Sequence, residues 1–274
     1  MKNLASLKKD LEFNRSLSEL IEVLKNIAVS QFRSLEQRVS SFDKFFFIVE
    51  DFFNSLIPLK PEHPFLKPHN HKQLLVAITS DSGLLGGLNM EVINSALREL
   101  ESSSGRLIVV GERGKMYLKE KNVPFVFFEG IKEEKRYTQA MQLRDYLMKE
   151  IKSFGYLKIV YPHPVSFTVQ KIVTLTLIPL ANVSAGVKGD FILESEIEDI
   201  FDYLVYVWLG RKIYEIFGFS RLAEFSARFV HLEASLQKLK EMNKKIQLQY
   251  FRIRHEIIDR NMRELFSARS LYAS

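Results

Sequence analysis

Residues 219–274 read FSRLAEFSARFVHLEASLQKLKEMNKKIQLQYFRIRHEIIDRNMRELFSARSLYAS and contain neither glycine nor proline. Apolar side chains recur along this stretch at steps of three and four residues: Phe225, Phe229, Leu232, Leu236, Leu239, Ile246, Tyr250, Ile253 and Ile257. A repeat that averages about 3.5 residues keeps one stripe of a helix turned toward a partner helix, so the stretch predicts a coiled-coil helix. Asn243 interrupts the stripe, and a lone polar residue there fixes the register of two paired helices at some cost in stability.

The partner helix is expected at the other end of the chain. Residues 1–57 also lack glycine and proline, and their apolar residues have helical spacing: Leu4, Leu7, Leu11, Leu17, Ile21, Leu24 and Ala28. All twelve glycines and all eight prolines lie between this segment and the stretch quoted above. We therefore predict an N-terminal coiled-coil helix at 1–57, an α/β insert at 58–189 that begins with a linker at 58–72, and a C-terminal helical region at 190–274. The terminal helices would form a long antiparallel coiled coil, with the insert as a lateral domain.

The insert alternates strand-like and helical patterns. Strand-like runs lie at 73–80, 106–110, 125–128 and 157–161, and helical patterns lie at 90–101, just after Gly111 and Gly114, and at 137–154. Such alternation is typical of a mostly parallel sheet with helices on both faces, which predicts a Rossmann-like α/β domain. Residues 165–179 add one or two strands of β-branched composition, which we expect at an edge of the sheet.

Composition narrows the classes of function. The chain has 274 residues, no cysteine and a formal charge of +6, which excludes disulfides, thiolate metal sites and cysteine nucleophiles. This net positive charge is compatible with binding to nucleic acid, to an anionic membrane surface or to an acidic protein. No apolar run reaches the ~18 residues needed to cross a bilayer, and the N-terminus has no apolar signal core. We therefore expect a cytosolic protein that meets a membrane only through a partner.

The end of the first predicted helix is unusually aromatic. Its phenylalanines are Phe42, Phe45, Phe46, Phe47, Phe52 and Phe53. Packing against the insert or against the opposite helix is the favoured interpretation. The alternative is a docking surface for another subunit.

The glycine-rich loop DSGLLGGLN at 81–89 is the place where a nucleotide site would be sought. It has neither the G-x-x-x-x-G-K-[ST] pattern of a phosphate-binding loop nor the G-x-G-x-x-G pattern of a dinucleotide site. We interpret Asp81, Gly83, Gly86 and Gly87 as a structural loop that allows a tight turn from strand to helix.

Catalytic and metal-binding patterns are not evident. His63, His69 and His71 lie in the proline-rich linker without a carboxylate cluster, and no paired carboxylates or nucleophile triad can be assembled. We expect no catalysis by the isolated chain, no metal and no cofactor.

Within 221–274, eleven lysines and arginines accompany six acids. These arginines share their turns with the apolar stripe, which favours a helix held by protein over one that binds nucleic acid.

Three blocks of the sequence resemble the γ subunit of F-type ATP synthases. They are LIEVLKNIAVSQFR at 20–33, ITSDSGLLGGLN at 78–89, and the pair AEFSAR at 223–228 and LQYFRIRH at 248–255. Ser82 stands where that family has an arginine. In the last block Arg254 is kept, whereas His255, Asp259 and Asn261 replace a glutamine, a threonine and a glutamate.

The resemblance implies a rotor shaft without bond chemistry of its own, inside a hexamer of ATP synthase α and β subunits. It further implies contact with an ε-type subunit and a membrane c-ring at the cytoplasmic face of a prokaryotic plasma membrane. The residues expected to touch the hexamer are Leu24, Lys25, Arg252, Arg254, His255, Asp259 and Asn261. The alternatives are a rotor of a paralogous F1-like ATPase that does not make ATP and, less favoured, a basic coiled-coil protein that binds nucleic acid.

Overall fold

A computed structural model of the chain describes residues 3–39, 42–57, 63, 65–68, 70–102, 104–180 and 194–272. Several predicted features lie outside these ranges. They are Pro58, Pro61, Pro64 and His69 of the linker, the end of the insert from 181 to 189, and the last two residues. None of the helices in the described part of the chain combines the length and hydropathy that crossing a membrane requires.

Six α-helices and five strands make up the described structure. The helices are α1 (Leu4–Glu36), α2 (Asp43–Leu56), α3 (Leu88–Ser102), α4 (Glu112–Glu120), α5 (Arg136–Glu150) and α6 (Ile197–Tyr272). The strands are β1 (Gln73–Ile78), β2 (Gly105–Val110), β3 (Val126–Phe128), β4 (Tyr156–Pro164) and β5 (Gln170–Ile178). Single turns of 3₁₀-helix at Glu133–Lys135 and Ile151–Ser153 flank α5. The chain divides into a coiled-coil unit, residues 1–28 with 229–274, and an α/β unit, residues 29–228.

The N-terminal segment forms two helices where the sequence predicts one. The helix α1 closes with a tightened turn, in which the N–H groups of Arg38 and Val39 both donate to the carbonyl of Leu35. At the start of α2, the backbone N–H of Phe42 donates to the carboxylate of Glu215 at 3.3 Å. The aromatic segment therefore forms a separate amphipathic helix, and α6 supplies the acceptor at its first turn.

The coiled-coil unit is antiparallel, as predicted. Ile21 of α1 is buried with three leucines of α6, and Leu17 and Leu24 pack against them; the leucines are Leu232, Leu236 and Leu239. Asn14 is hydrogen-bonded to Asn243 and Lys25 to Glu233, so residue numbers fall along α6 as they rise along α1. The apolar stripe read from the sequence is the seam between these helices.

The α/β unit contains one five-stranded sheet in the order β3-β2-β1-β4-β5. The strands β3, β2, β1 and β4 are parallel, and β5 runs antiparallel to β4 at the edge. All six residues of the central strand β1 are buried, because helices cover both faces. Leu75 and Ala77 pack with α3 and α4, whereas the alternate residues of β1 pack with α2, α5 and the first part of α6. The predicted mostly parallel sheet is confirmed, and residues 165–179 supply a single edge strand.

Candidate functional site

The seam of the coiled-coil unit contains a pair of asparagines. Asn14 Nδ2 donates to Asn243 Oδ1 at 2.8 Å, and Asn14 is 6% exposed. Each amide therefore gives the other a partner in an otherwise apolar seam. Sequence reasoning identified Asn243 but missed Asn14. The signal was present, because Leu7, Asn14, Ile21 and Ala28 follow one another at steps of seven and all four are buried.

Leu24 and Lys25, the predicted contacts on α1, both interact with α6. Leu24 is half-buried against the seam leucines. Lys25 Nζ donates to Glu233 Oε2 at 2.8 Å, and this hydrogen bond holds the pKa of the Glu233 carboxyl below its usual value. An outside partner would therefore meet Lys25 as one half of an ion pair.

The five predicted contacts on α6 are all exposed, but they do not share one surface. Arg252, His255 and Asp259 follow at steps of three and four, so they lie on one face of the helix. Arg254 and Asn261 are seven residues apart and lie on a flank between that face and the seam. The structure therefore brings three of the five together.

The same part of α6 carries a second apolar stripe that sequence reasoning missed. Its members, between 43% and 71% exposed, are Leu248, Phe251, Ile258, Met262, Leu265 and Phe266. They repeat at steps of three, four and seven, and His255 lies in line with them. At about 100° per residue the stripe lies roughly 140° around the helix from the seam. The signal in the sequence was a second heptad repeat, out of phase with the first.

A similar outer stripe runs along α1. Phe13, Leu20, Val23 and Ile27 are between 46% and 67% exposed and follow at steps of seven, three and four. Both helices of the coiled-coil unit therefore have an apolar face in addition to the seam. Contiguous exposed apolar surface of this kind marks a site that another protein covers.

The first residues of α1 lie beside the last third of α6. Asn3 and Leu4 line a groove of about 790 Å³ with residues of α6 that include Ile253 and Ile257. The α6 residues of this groove run from Ile253 to Ser267, so the start of the described part of α1 lies beside the turns of α6 that carry the end of the outer stripe.

The glycine-rich loop forms its contacts within the α/β unit. Asp81 Oδ1 accepts the N–H of Glu112, the first residue of α4, at 2.9 Å. Asn89 Oδ1 accepts the N–H of Ser80 at 3.0 Å, and the amide of Asn89 donates to Ser80 Oγ at 2.9 Å. Gly86 has a φ of 61°, a value that glycine adopts without strain. The loop thus joins β1 to α3 and supplies an acceptor to α4.

A side chain of α6 fills the position where a Rossmann-like fold would hold a ligand. That position lies at the carboxyl ends of the strands where their order reverses, here between β1 and β4. Glu224 is buried there and accepts hydrogen bonds from Ser82 Oγ at 3.0 Å and from Arg228 at 2.7 Å. Arg221 also bonds Glu224. The remaining cavity is about 10 Å³, whereas small-molecule sites are typically ~300–1,000 Å³.

His63 is the described linker histidine with a buried side chain. Its Nε2 lies 3.0 Å from Asp202 Oδ1, and its ring stacks on Phe65. Burial lowers the pKa of His63 despite the opposing effect of Asp202. Among the described residues there is no group of three or more His, Asp or Glu side chains that could hold a metal ion.

These features define a class of protein that combines an antiparallel two-helix coiled coil with a Rossmann-like α/β unit. Solved structures with the same fold are central-stalk chains. One belongs to the Euglena gracilis mitochondrial ATP synthase, in an assembly described as OSCP/F1/c-ring, with a TM-score of 0.67, 17% identity, and 97% of this chain and 93% of that chain covered. Another belongs to the central stalk and c-ring of the Tetrahymena thermophila enzyme, with a TM-score of 0.64, 19% identity, and 79% and 99% covered. At such identities the likeness is one of fold.

The family follows from the sequence itself. A family model described as ATP synthase matches residues 3–270. The ATP synthase gamma chain of Clostridium beijerinckii is 24% identical, with 96% of this chain and 95% of the relative covered. That of Ruminococcus albus is 25% identical, with 98% of each covered. The chain belongs to the ATP synthase γ-subunit family.

Proposed function

We propose that the chain is the central-stalk γ subunit of an F-type ATP synthase. It turns inside a hexamer of α and β subunits and couples ion flow across a membrane to the synthesis or hydrolysis of ATP. Membership of the family over residues 3–270 and the outer apolar stripe of α6 support this function. The further partners are an ε-type subunit and the membrane c-ring. The complex holds the chain at the cytoplasmic face of the plasma membrane.

The mechanism depends on differences around the circumference of the coiled-coil unit. Chemically equivalent catalytic subunits differ in nucleotide affinity only when their contacts with the shaft differ, because a partner shifts an equilibrium only through differential interaction. The outer stripes present apolar surface on one side of each helix, whereas charged residues such as Lys245 and Glu256 occupy other sides. Rotation carries each surface from one catalytic subunit to the next. The shaft itself breaks no bond.

The contacts with the hexamer combine apolar and ionic groups. Leu248 and Phe251 would pack against apolar side chains of the surrounding subunits, and Arg252, His255 and Asp259 would make polar contacts beside them. Arg254 and Asn261 on one flank, and the Lys25–Glu233 pair on α1, extend the same interface. Ionic contacts between exposed groups weaken as salt rises, so part of the affinity should depend on ionic strength.

Affinity purification of the tagged full-length chain from its own cells tests the function. The expected result is co-isolation of α and β ATPase subunits and nucleotide hydrolysis by the purified complex. Reproducible absence of both subunits would overturn the proposal.

Paired substitutions test the outer stripe. Leu248→Ser with Phe251→Ser should weaken retention of the hexamer at least ~10-fold, since each buried apolar side chain contributes roughly 1.5–3 kcal/mol. The melting temperature of the isolated chain should stay unchanged, because both side chains are exposed in it. Lys245→Ser with Glu256→Ser, at exposed positions on another side of the same helix, is the matched control. Equal retention by the stripe variant and the control would remove the stripe from the interface.

A further inference from the structure

The edge strand β5 has an unusually uncharged sequence. Its nine residues read QKIVTLTLI, and its single charged residue, Lys171, lies near its start. In the described sheet β5 is an edge strand, paired with β4 on one side. Exposed strand edges invite pairing with another chain, and proteins normally blunt them with lysine, proline or a covering element. Charge does not protect the second half of β5.

Helix α2 lies beside this edge and has apolar residues outside its buried side. The buried side, which includes Phe46 and Phe53, packs into the core of the α/β unit. Phe47, at 73%, is exposed and lines the space between α2 and β5. Ile48 and Phe52 are also exposed but lie farther around this amphipathic helix. Phe47 is therefore an exposed aromatic residue next to the edge of β5.

A groove of about 520 Å³ lies between these two surfaces. Phe47 of α2, Leu175 and Thr176 of β5, and Trp208 of α6 are among its lining residues. The indole Nε1 of Trp208 is buried and has no hydrogen-bond partner among the described residues. A buried indole N–H normally has an acceptor, and none of the described residues supplies one here.

The charge of α2 indicates the composition of a ligand for this groove. The helix carries Asp43, Glu50 and Asp51 against one lysine, Lys44, in a chain whose net charge is +6. Asp43 and Glu50 line the groove. Lys212, a basic residue in the lining, is bonded to Glu215 at 2.8 Å. An incoming segment with basic side chains would therefore match the wall that α2 provides.

We propose that the groove between α2 and β5, with the exposed edge of β5, receives a β-strand of a second protein in which apolar and basic residues alternate. The backbone of that strand bonds to the outer edge of β5, which is the recognition mode called β-augmentation. Its apolar side chains cover Phe47 and Leu175, and its basic side chains face Glu50. This contact goes beyond the rotor function, because the hexamer is expected on the coiled-coil unit.

Amide hydrogen exchange tests the proposed pairing even while the partner is unidentified. The full-length chain alone is compared with the complex that co-purifies with a tagged copy. The amides of β5 that point away from β4, between Val173 and Ile178, should exchange at least ~100-fold more slowly in the complex. Equal rates in the two samples, or protection already present in the isolated chain, would overturn the proposal. The second result would mean that the chain itself covers the edge.

A charged substitution tests which surface carries the contact. Thr176→Lys places an ammonium group on an exposed position of the edge, and it should abolish the protection and reduce recovery of the partner at least ~10-fold. Thr168→Lys, an exposed threonine in the turn before β5, is the matched control and should change neither. Unchanged melting temperatures of both isolated variants exclude unfolding as the cause. Equal recovery of the partner by both variants would also overturn the proposal.

Cross-linking identifies the occupant. A cysteine introduced at Thr174 is unique, because the chain has none, and it can carry a short photoreactive group. Attachment to a strand of another protein in the purified complex supports the proposal, whereas attachment to a helix or to a second copy of this chain overturns it. Failure of α and β subunits to co-purify would reject the rotor function. The cross-linking experiment would still show whether a strand of another protein binds at β5.

Discussion

At the scale of single residues, the buried histidine His63 makes stability depend on pH. Burial lowers the pKa of His63 from 6.5, so the folded state resists protonation where the unfolded state accepts it. Its contribution to stability is therefore present above the ordinary pKa and is lost as pH falls through the lowered one.

We expect the free energy of unfolding to decrease between about pH 7 and about pH 5, and His63→Gln to reduce that decrease. Chemical denaturation at the two pH values measures it. His71→Gln, at an exposed position, is the control. Part of the slope should persist in His63→Gln, because burial also lowers the pKa of His163. An identical slope in wild type and His63→Gln would contradict the prediction.

Gly130 is a second residue with a local role. A Cβ atom there would lie 2.1 Å from Asp81 Oδ1, the atom that accepts the N–H of Glu112. Gly130→Ala should therefore displace the Asp81 carboxylate from the start of α4 and destabilise the chain by roughly 1–3 kcal/mol. Gly87→Ala is the matched control, since its Cβ would meet only Glu91 Oε1 at 3.5 Å. Thermal unfolding of both variants measures the difference, and equal melting temperatures would show that Asp81 moves without cost.

At the scale of elements, the asparagine pair sets the register of α1 against α6. A slip of one heptad would place Asn14 opposite Leu236 or Tyr250, where its amide would be buried without this partner. Asn243→Leu should cost roughly 1–3 kcal/mol, because it leaves the Asn14 amide unpaired. The double variant, Asn14→Leu with Asn243→Leu, should recover that stability and lose the single register. Thermal unfolding measures the first effect.

Introduced cysteines measure the register, since the chain has none of its own. Lys25→Cys with Glu233→Cys, joined by a short bis-maleimide cross-linker, reports the native register, because the native side chains at these positions meet at their ends. Lys25→Cys with Lys240→Cys and the same cross-linker reports a slip of seven residues. We expect cross-linking of the second pair only in the background with two leucines. Cross-linking of the native pair alone in that background would contradict a role in register.

The elements differ in how well the sequence predicts them. The seam of α6 could be predicted from the sequence, because apolar residues that repeat about every 3.5 residues over a long segment are typical of a helix that pairs with another helix. The end of α1 at Glu36 could not be predicted from the sequence. It depends on a tightened turn at Leu35 and on a contact with Glu215, which is distant in sequence. The outer stripes could also have been predicted, because their apolar residues have helical spacing. They were missed because the more regular repeat of the seam was sufficient to predict a helix.

At the scale of the whole molecule, the residues that stabilise the fold differ from those proposed to contact other subunits. The two units have their own buried clusters, and α1 and α6 contribute residues to both units. Residues in those clusters could be predicted from periodicity, since burial leaves a pattern in one chain. The residues proposed to touch the hexamer could be predicted only by resemblance, because a contact with another chain leaves no pattern of burial in this one. The places of Lys25 and Glu224 depend on contacts between distant segments, which no local pattern encodes.

The exposed residues near the end of α6 allow a prediction about exchange between species. His255, Asp259 and Asn261 are exposed, so substitution there should change the free energy of unfolding of the isolated chain by less than ~0.5 kcal/mol. Replacing them with the glutamine, threonine and glutamate of the wider family should strengthen binding to a hexamer from one of the clostridial relatives. Reconstitution with purified subunits measures this. No gain over the unaltered chain would contradict it.

The seam and the outer stripe of α6 are under different constraints, because the seam residues pack against a helix of the same chain and the stripe residues are exposed in it. A stripe residue can change whenever the hexamer surface opposite it changes. Divergence between related species should therefore be concentrated in the stripe and in the hexamer residues opposite it, while the asparagine pair stays fixed.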